Sequence, residues 1–294
     1  SSPPNWPGPC CCRPRSPAEA VALPRPPDWL IYRAAVLGVV AIAIHKRETS
    51  DAPEAPPPVP GAAGVPLARG SPFNPKKVKQ VSEPSSEEVG TAFSVSDAGV
   101  WLTARHVVKD CGRVAIMVAD RKGALAKVLP SGDGDVAVLK TEGGPPPLPL
   151  SDDLPAPGER AYHPGFPQGR PGEAATRLLG PDVLTSRARG SHGQNVLAWA
   201  EVGRTEGLKG SLSGLSGAPV LDRTGQVMGV TLAESPRRAR IYAATPAAIR
   251  AALAAARIKP SGFARGQAIT TDNYGRAADS LRRDLRVAQV VCLS

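Results

Sequence analysis

The sequence predicts an all-β domain from about Val89 onward, placed behind a long non-globular N-terminal arm. Short apolar runs broken by Gly, Pro and Asp recur at near-regular spacing from Val89 to Ala243, the pattern of a β-barrel or β-sandwich. The 33 prolines and 30 glycines are many and unevenly spread, which argues for unstructured segments beside a folded unit. Apolar residues are 41% of the 294 but aromatics only 4%, so a sizeable core is available and must be built from Val, Leu, Ala and Ile.

The candidate strands are Gly90–Val95, Val100–Thr103, Arg113–Val118, Ala124–Leu129, Val136–Leu139, Arg160–Tyr162, Ala175–Leu179, Val196–Ala200, Val220–Leu221, Gln226–Leu232 and Arg240–Ala243. Pro246–Ala256 reads as a helix, with proline at the first turn and then alanines and leucine. Lys259-Pro260-Ser261-Gly262 breaks it. Asp272–Leu285 reads as a second, more polar helix, and Arg286–Leu293 as a strand-like tail.

The arm divides by composition. Residues 1–28 are Pro-rich without apolar periodicity and read as disordered. Trp29–Ile44 is the one candidate membrane segment, and residues 29–45 read as an anchor helix. Trp29 and Tyr32 suit an interfacial belt, and Arg33 lies near enough to one end to snorkel. A cleaved signal peptide needs small residues after the apolar run, and His45-Lys46-Arg47-Glu48 follows instead. A core helix needs a polar face, and 34–44 has none. Positive charge flanks both ends, so an inside N-terminus is chosen to put the folded domain outside the cytoplasm. Residues 46–85 read as a Pro-rich linker, 86–257 as the folded domain and 258–294 as a C-terminal tail. The basic knot Lys76-Lys77-Val78-Lys79 reads as a solvated approach to the first strand.

Chemistry centres on Gly214-Leu215-Ser216-Gly217-Ala218-Pro219. Glycines on both sides of a serine allow a tight turn that exposes the hydroxyl and turns backbone N–H groups into one small space. An acyl-transfer site needs such a nucleophile and such donors. Alone, the motif also fits a plain turn. Of the four histidines, His45, His163 and His192 border the anchor segment or lie in Pro/Gly-rich stretches, and only His106 closes a strand-like run. A base of this kind is oriented by a carboxylate. Asp135 opens the apolar run Asp135-Val136-Ala137-Val138-Leu139, where a strand-start role is the bland alternative.

Thr103-Ala104-Arg105-His106-Val107-Val108, Asp135 to Leu139 and Gly214 to Pro219 resemble the His, Asp and Ser motifs of chymotrypsin-fold serine proteases, in that fold's chain order. The nearest flavour is the trypsin-like domain of bacterial Deg-type envelope proteases, and the resemblance covers about Val89 to Ala256. It implies two six-stranded antiparallel β-barrels closed by a C-terminal helix, with His106 and Asp135 from the first and Ser216 from the second. It further implies a Ser216 nucleophile, a His106 base, an Asp135 orienter, an oxyanion hole from the Gly214 and Ser216 N–H groups, and a substrate strand paired along Val230, Thr231 and Leu232.

Departures limit what carries over. Leu215 stands where many secreted relatives have the Asp that pairs with a new N-terminus, so no zymogen cleavage is expected. Gly210, six residues before the serine, is not Asp, so a preference for Arg or Lys is unsupported and a small or medium apolar residue is expected. Arg105 is expected to point to solvent. Deg-type proteases usually carry a PDZ domain after the protease domain; about forty residues remain here, so substrate capture or regulation by a PDZ domain is not expected to carry over. The runner-up is an inactive or latent protease-fold binding module gated by a partner.

The formal charge of +10 raises nucleic acid, but the arginines are dispersed and lack interleaved aromatics, so no nucleic-acid partner is expected. The expected partners are a polypeptide substrate and the bacterial inner membrane, with the domain periplasmic. No cofactor or metal is expected, since no Cys-x-x-Cys pair or histidine set accompanies the cysteines. The Cys10-Cys11-Cys12 run has no physical account. Cys111 and Cys292 are either two unrelated thiols or a disulfide strapping the tail to the domain, and the sequence leaves both open.

Overall fold

The computed structural model describes residues 29, 32–33, 36–39, 41, 78–80, 89–119, 121–185, 193–259 and 266–293. Residues 1–28 with the cysteine run, His45, His192 and most of the linker fall outside these. The chain divides into two units, Ser1–Ser50 and Asp51–Ser294. In the first, residues 29, 32–33, 36–39 and 41 are helical and exposed, and the Arg33 guanidinium stands 5.3 Å from the Trp29 ring centroid. No helix of the described residues is long and apolar enough to cross a membrane.

In the second unit the chain runs β1 (Val78–Gln80), β2 (Val89–Ser96), β3 (Val100–Ala104), a one-turn helix α1 (Arg105–Val108), β4 (Arg113–Ala119), β5 (Lys122–Leu129) and β6 (Val136–Lys140). There follow β7 (Arg160–Gly165), β8 (Gly172–Thr185), β9 (Gly193–Arg204), β10 (Pro219–Leu221), β11 (Val227–Ser235) and β12 (Arg240–Ala244). Helices α2 (Pro246–Ala255) and α3 (Tyr274–Arg283) precede the last strand, β13 (Val287–Leu293).

These strands close two antiparallel barrels. β7 to β12 form one, in the order β10-β11-β12-β9-β8-β7. The other is β2-β3-β6-β5-β4-β13, with β1 added outside β5. The expected pair of six-stranded barrels is therefore present, but with one reassignment. The first barrel is completed by β13, a segment whose sequence reads as part of a C-terminal tail. β13 pairs with β2 from Val287↔Phe93 to Val291↔Val89 and with β4 from Val290↔Ile116 to Leu293↔Arg113. The Cys111–Cys292 disulfide, Cα–Cα 5.4 Å, fixes its end to the turn before β4, so the open choice between thiols and bridge resolves to the bridge.

The two-residue period of a strand explains the core. Along β3, Trp101 points into the first barrel with Ile116, Leu139 and Val290, while Leu102 points the other way. Leu102 packs with Phe93, Leu221, Ile249, Leu253 and Tyr274 into a core shared by both barrels and the two longer helices. The second barrel is filled by Trp199, Leu215, Val220 and Ile241. With both faces covered, β2 and β3 are buried along their whole length; β3 reads as a nearly continuous apolar run, while β2 also buries Thr91, Ser94 and Ser96.

Candidate active site

The register of the first barrel brings the base and its carboxylate together. β3 and β6 are antiparallel, with Ala104 opposite Val136. The residues just after β3 therefore lie beside the residue just before β6. Arg105 N–H continues the ladder to the Asp135 carbonyl at 2.9 Å, and the single turn α1 carries His106 over the Asp135 side chain. His106 Nδ1 lies 2.9 Å from Asp135 Oδ2, and the His106 backbone N–H donates to Oδ1 at 3.1 Å. The Asp135 side chain is 1% exposed and that of His106 is 37% exposed. A carboxylate only accepts, so Nδ1 carries the proton and Nε2 is left as the acceptor.

The serine sits on a turn tied to both barrels. Leu215 is buried in the second barrel, and its N–H donates to the Leu212 carbonyl at 2.9 Å. Gly217 N–H donates to the Thr231 carbonyl at 2.7 Å, while Thr91 of the first barrel donates its N–H to the Ser216 carbonyl at 2.8 Å. Gly214 and Gly217 have φ of +92° and +90°, the left-handed region that favours glycine. A Cβ at Gly217 would stand 2.0 Å from the Thr91 carbonyl oxygen, so no other residue fits.

The turn frees two amides. The Ser213 carbonyl accepts from Gln168 N–H at 2.5 Å, and the Leu215 carbonyl accepts from Ala218 N–H at 2.9 Å. In a trans peptide the N–H points opposite to its C=O. Gly214 N–H and Ser216 N–H therefore point away from those contacts, and neither has a partner among the described residues. Ser216 Oγ makes one hydrogen bond among the described residues, donating to the Leu232 carbonyl at 3.4 Å.

Two residues of the expected substrate edge are already paired. Val230 is paired on both sides, with Pro219 and with Ala244. Thr231 gives its N–H to the Ala218 carbonyl at 2.9 Å and its carbonyl to Gly217. Neither has a backbone group left for a third strand, and that part of the expectation is corrected. Leu232 begins the stretch of β11 that runs past β10, and the bulge there separates it from the regular β12 pairing. Glu234, two residues on, accepts from Leu212 N–H at 2.7 Å and from Ser211 Oγ. Gly210 is exposed with open space around its Cβ position, and its carbonyl accepts from Arg204 Nη1 at 2.9 Å.

Arg105 does not point to solvent. Its Nη2 reaches Ser131 Oγ at 3.2 Å and the Gly132 carbonyl, half-burying the chain. A cavity of about 320 Å³ beside it is lined by Val108, Lys109, Leu129 and Asp133 and holds none of the Ser216 loop. His163 is fully buried, with Nδ1 2.9 Å from Thr231 Oγ1 and Nε2 2.9 Å from Thr176 Oγ1. Burial lowers its pKa to about 3.

Thr91, Gln168 and Glu234 have no counterpart in the sequence reading. Thr91 Oγ1 donates to the Gly214 carbonyl at 2.8 Å across 123 residues. Contacts of that range leave no local pattern.

The sequence family described as a trypsin-like peptidase domain matches residues 90–230. The Rv3671c protease of M. tuberculosis in its inactive form is 22% identical, covering 60% of this chain and 98% of its own, with a TM-score of 0.47. Its active form is 21% identical over 76% of this chain and 94% of its own, with a TM-score of 0.46. The serine endoprotease from Yersinia pestis is 18% identical over 56% of this chain and 61% of its own, with a TM-score of 0.41. No curated protein matches the chain.

Proposed function

Because this chain belongs to the chymotrypsin-like serine protease family, we propose that it is a serine endopeptidase acting through His106, Asp135 and Ser216. The observation that carries this reading is the buried Asp135 carboxylate, which holds His106 by both its ring and its backbone N–H.

In this reading Ser216 Oγ attacks the scissile carbonyl carbon while its proton passes to His106 Nε2. The resulting oxyanion is received by the Gly214 and Ser216 N–H groups. Collapse expels the amine, which takes the proton from His106, and leaves an acyl ester on Ser216. Water, deprotonated by His106, then releases the acid. Asp135 keeps the proton on Nδ1 and stabilises the imidazolium. The substrate chain is taken along Leu232 to Glu234, where β11 runs past β10.

One observation favours a second reading, a latent protease. Ser216 Oγ is directed to the Leu232 carbonyl, not to His106. Substrate or a partner would then have to turn the hydroxyl. Treating the full chain with a fluorophosphonate probe, beside a Ser216→Ala control, separates the two. Labelling in the parent and none in the control is expected. A folded parent that stays unlabelled overturns the constitutive enzyme and leaves the latent reading.

We further propose that residues 29–45 anchor the protein in a bacterial inner membrane with the protease domain in the periplasm. The support is compositional: an apolar run over 34–44 behind Trp29 and Tyr32. The full chain is expected to stay with membranes in alkaline carbonate and a variant lacking 29–45 to be released. Release of both removes the anchor.

A further inference from the structure

The two free amides beside Ser216 depend on a loop that the C-terminal segment holds from behind. The loop links β7 to β8, and its middle, Pro167–Gly169, is one 3-10 turn with Gln168 at φ +54°. Gln168 makes three bonds to the approach to the serine. Its N–H donates to the Ser213 carbonyl at 2.5 Å, and its Nε2 donates to the Lys209 carbonyl at 2.6 Å and the Ser211 carbonyl at 2.8 Å. The first of these fixes the peptide whose N–H belongs to Gly214. The fit is close, since a Cβ at Gly214 would lie 2.4 Å from the Phe166 carbonyl oxygen.

The same loop, with the strand ends that flank it, is gripped by residues of α3 and β13. Arg282 Nη1 reaches the Gly165 carbonyl at 3.5 Å, the Gly172 carbonyl at 3.2 Å and Glu173 Oε2 at 3.1 Å. It thus spans both ends of the loop, and the Arg282 and Glu173 side chains are 7% and 5% exposed. Gln289 Nε2 holds the middle, donating to the Gly169 carbonyl at 3.2 Å. The C-terminal segment therefore fixes the loop that carries Gln168, through Arg282 at the flanking strand ends and through Gln289 at Gly169, the residue next to Gln168, and Gln168 in turn holds the Ser213 carbonyl.

We propose that Gln168 is the positioning residue for the oxyanion hole, and that docking of α3 and β13, through Arg282 and Gln289, sets its conformation. The inference rests on the protease reading above and adds a control to it. The hole is assembled only while the C-terminal segment is seated, so anything that lifts that segment lowers turnover without touching the triad.

The test uses the full chain and two readouts, the rate of fluorophosphonate labelling and hydrogen exchange over 209–216. Gln168→Glu keeps the size but cannot donate to the Lys209 and Ser211 carbonyls. Gln289→Ala acts from β13 and touches neither the triad nor the 209–216 stretch. In both, exchange at 209–216 is expected to speed up while that of β8 and β9 holds. Labelling is expected to slow about 10- to 100-fold, part of the effect of losing one oxyanion donor. Arg282→Gln is the stronger variant where it folds. Unchanged exchange at 209–216 in both Gln168→Glu and Gln289→Ala overturns the proposal. An unlabelled parent overturns the constitutive enzyme instead, while the exchange data still decide the coupling.

Discussion

The Asp135 carboxylate binds His106 twice, at 2.9 Å from Nδ1 and 3.1 Å from the backbone N–H. An acceptor-only group in that place dictates which ring nitrogen carries the proton. Asp135→Asn can present an amide N–H to Nδ1 instead, which moves the proton to Nε2 and removes the base. Fluorophosphonate labelling of Asp135→Asn is expected to fall about ten-thousandfold, the scale of that change in the trypsin template. The variant should keep its unfolding midpoint within a few degrees. Labelling at the parent rate would take Asp135 out of the site.

Gly214 is under two constraints at once. Its φ is +92°, and a Cβ would meet the Phe166 carbonyl oxygen at 2.4 Å. Gly214→Ala must therefore move the peptide that carries one of the two free amides. Loss of one such donor costs roughly 100–1,000-fold in turnover. The labelling rate of Gly214→Ala is expected to drop by that factor, with His106 and Asp135 undisturbed in chemical-shift spectra.

Most strands, and the two helices flanking the tail break, were legible because their signals are local. Apolar runs bounded by turn residues mark β2 to β6 to within two residues, and Pro246 marks the start of α2. The His106, Asp135 and Ser216 motifs are likewise short and self-contained. What was not legible depends on register and closure. Nothing local in Val287-Ala288-Gln289-Val290-Val291 says that it seats between β2 and β4. Nothing local shows that Val230 and Thr231 are paired on both sides while Leu232 is not. β8 and β9 also run past their expected ends, because the projecting part of that hairpin exposes Leu179 and Val183 and so carries no core pattern. α1, at four residues, is too short to have a periodicity.

β13 is a barrel strand held at its end by a bridge spanning 181 residues of sequence. Cys292→Ser removes the link but leaves Val287, Val290 and Val291, all fully buried, to keep the strand in place. A native bridge is worth about 2–5 kcal/mol, more for long loops in the chain-entropy account. Urea unfolding of Cys292→Ser is expected to show a loss in that range. Thiol titration of the native parent should find Cys111 and Cys292 unreactive until reductant is added. Two reactive thiols in the native protein would dissolve the strap.

His163 gives the pH dependence its direction. It is fully buried between Thr176 and Thr231, and burial lowers its pKa from 6.5 to about 3. Thr176 Oγ1 also lies 3.4 Å from the Ala161 carbonyl, to which it can only donate. It therefore accepts from His163 Nε2–H, and Nδ1 accepts from Thr231 Oγ1, so the neutral ring is fully used and a second proton has no place. The unfolded chain takes up that proton below its ordinary pKa while the native state does not until about 3. Above pH 6.5 the group contributes nothing to the pH dependence; between 6.5 and 3 the unfolded state binds more protons and stability falls as pH falls. The slope approaches about 1.4 kcal/mol per pH unit. His163→Gln is destabilising at pH 7 through its lost packing, but it lacks this proton. The gap between parent and variant, measured by urea unfolding, is expected to narrow by about 3 kcal/mol between pH 7 and pH 4. A gap that stays constant over that range would mean that the His163 ring takes up its proton in the native barrel as readily as in the unfolded chain.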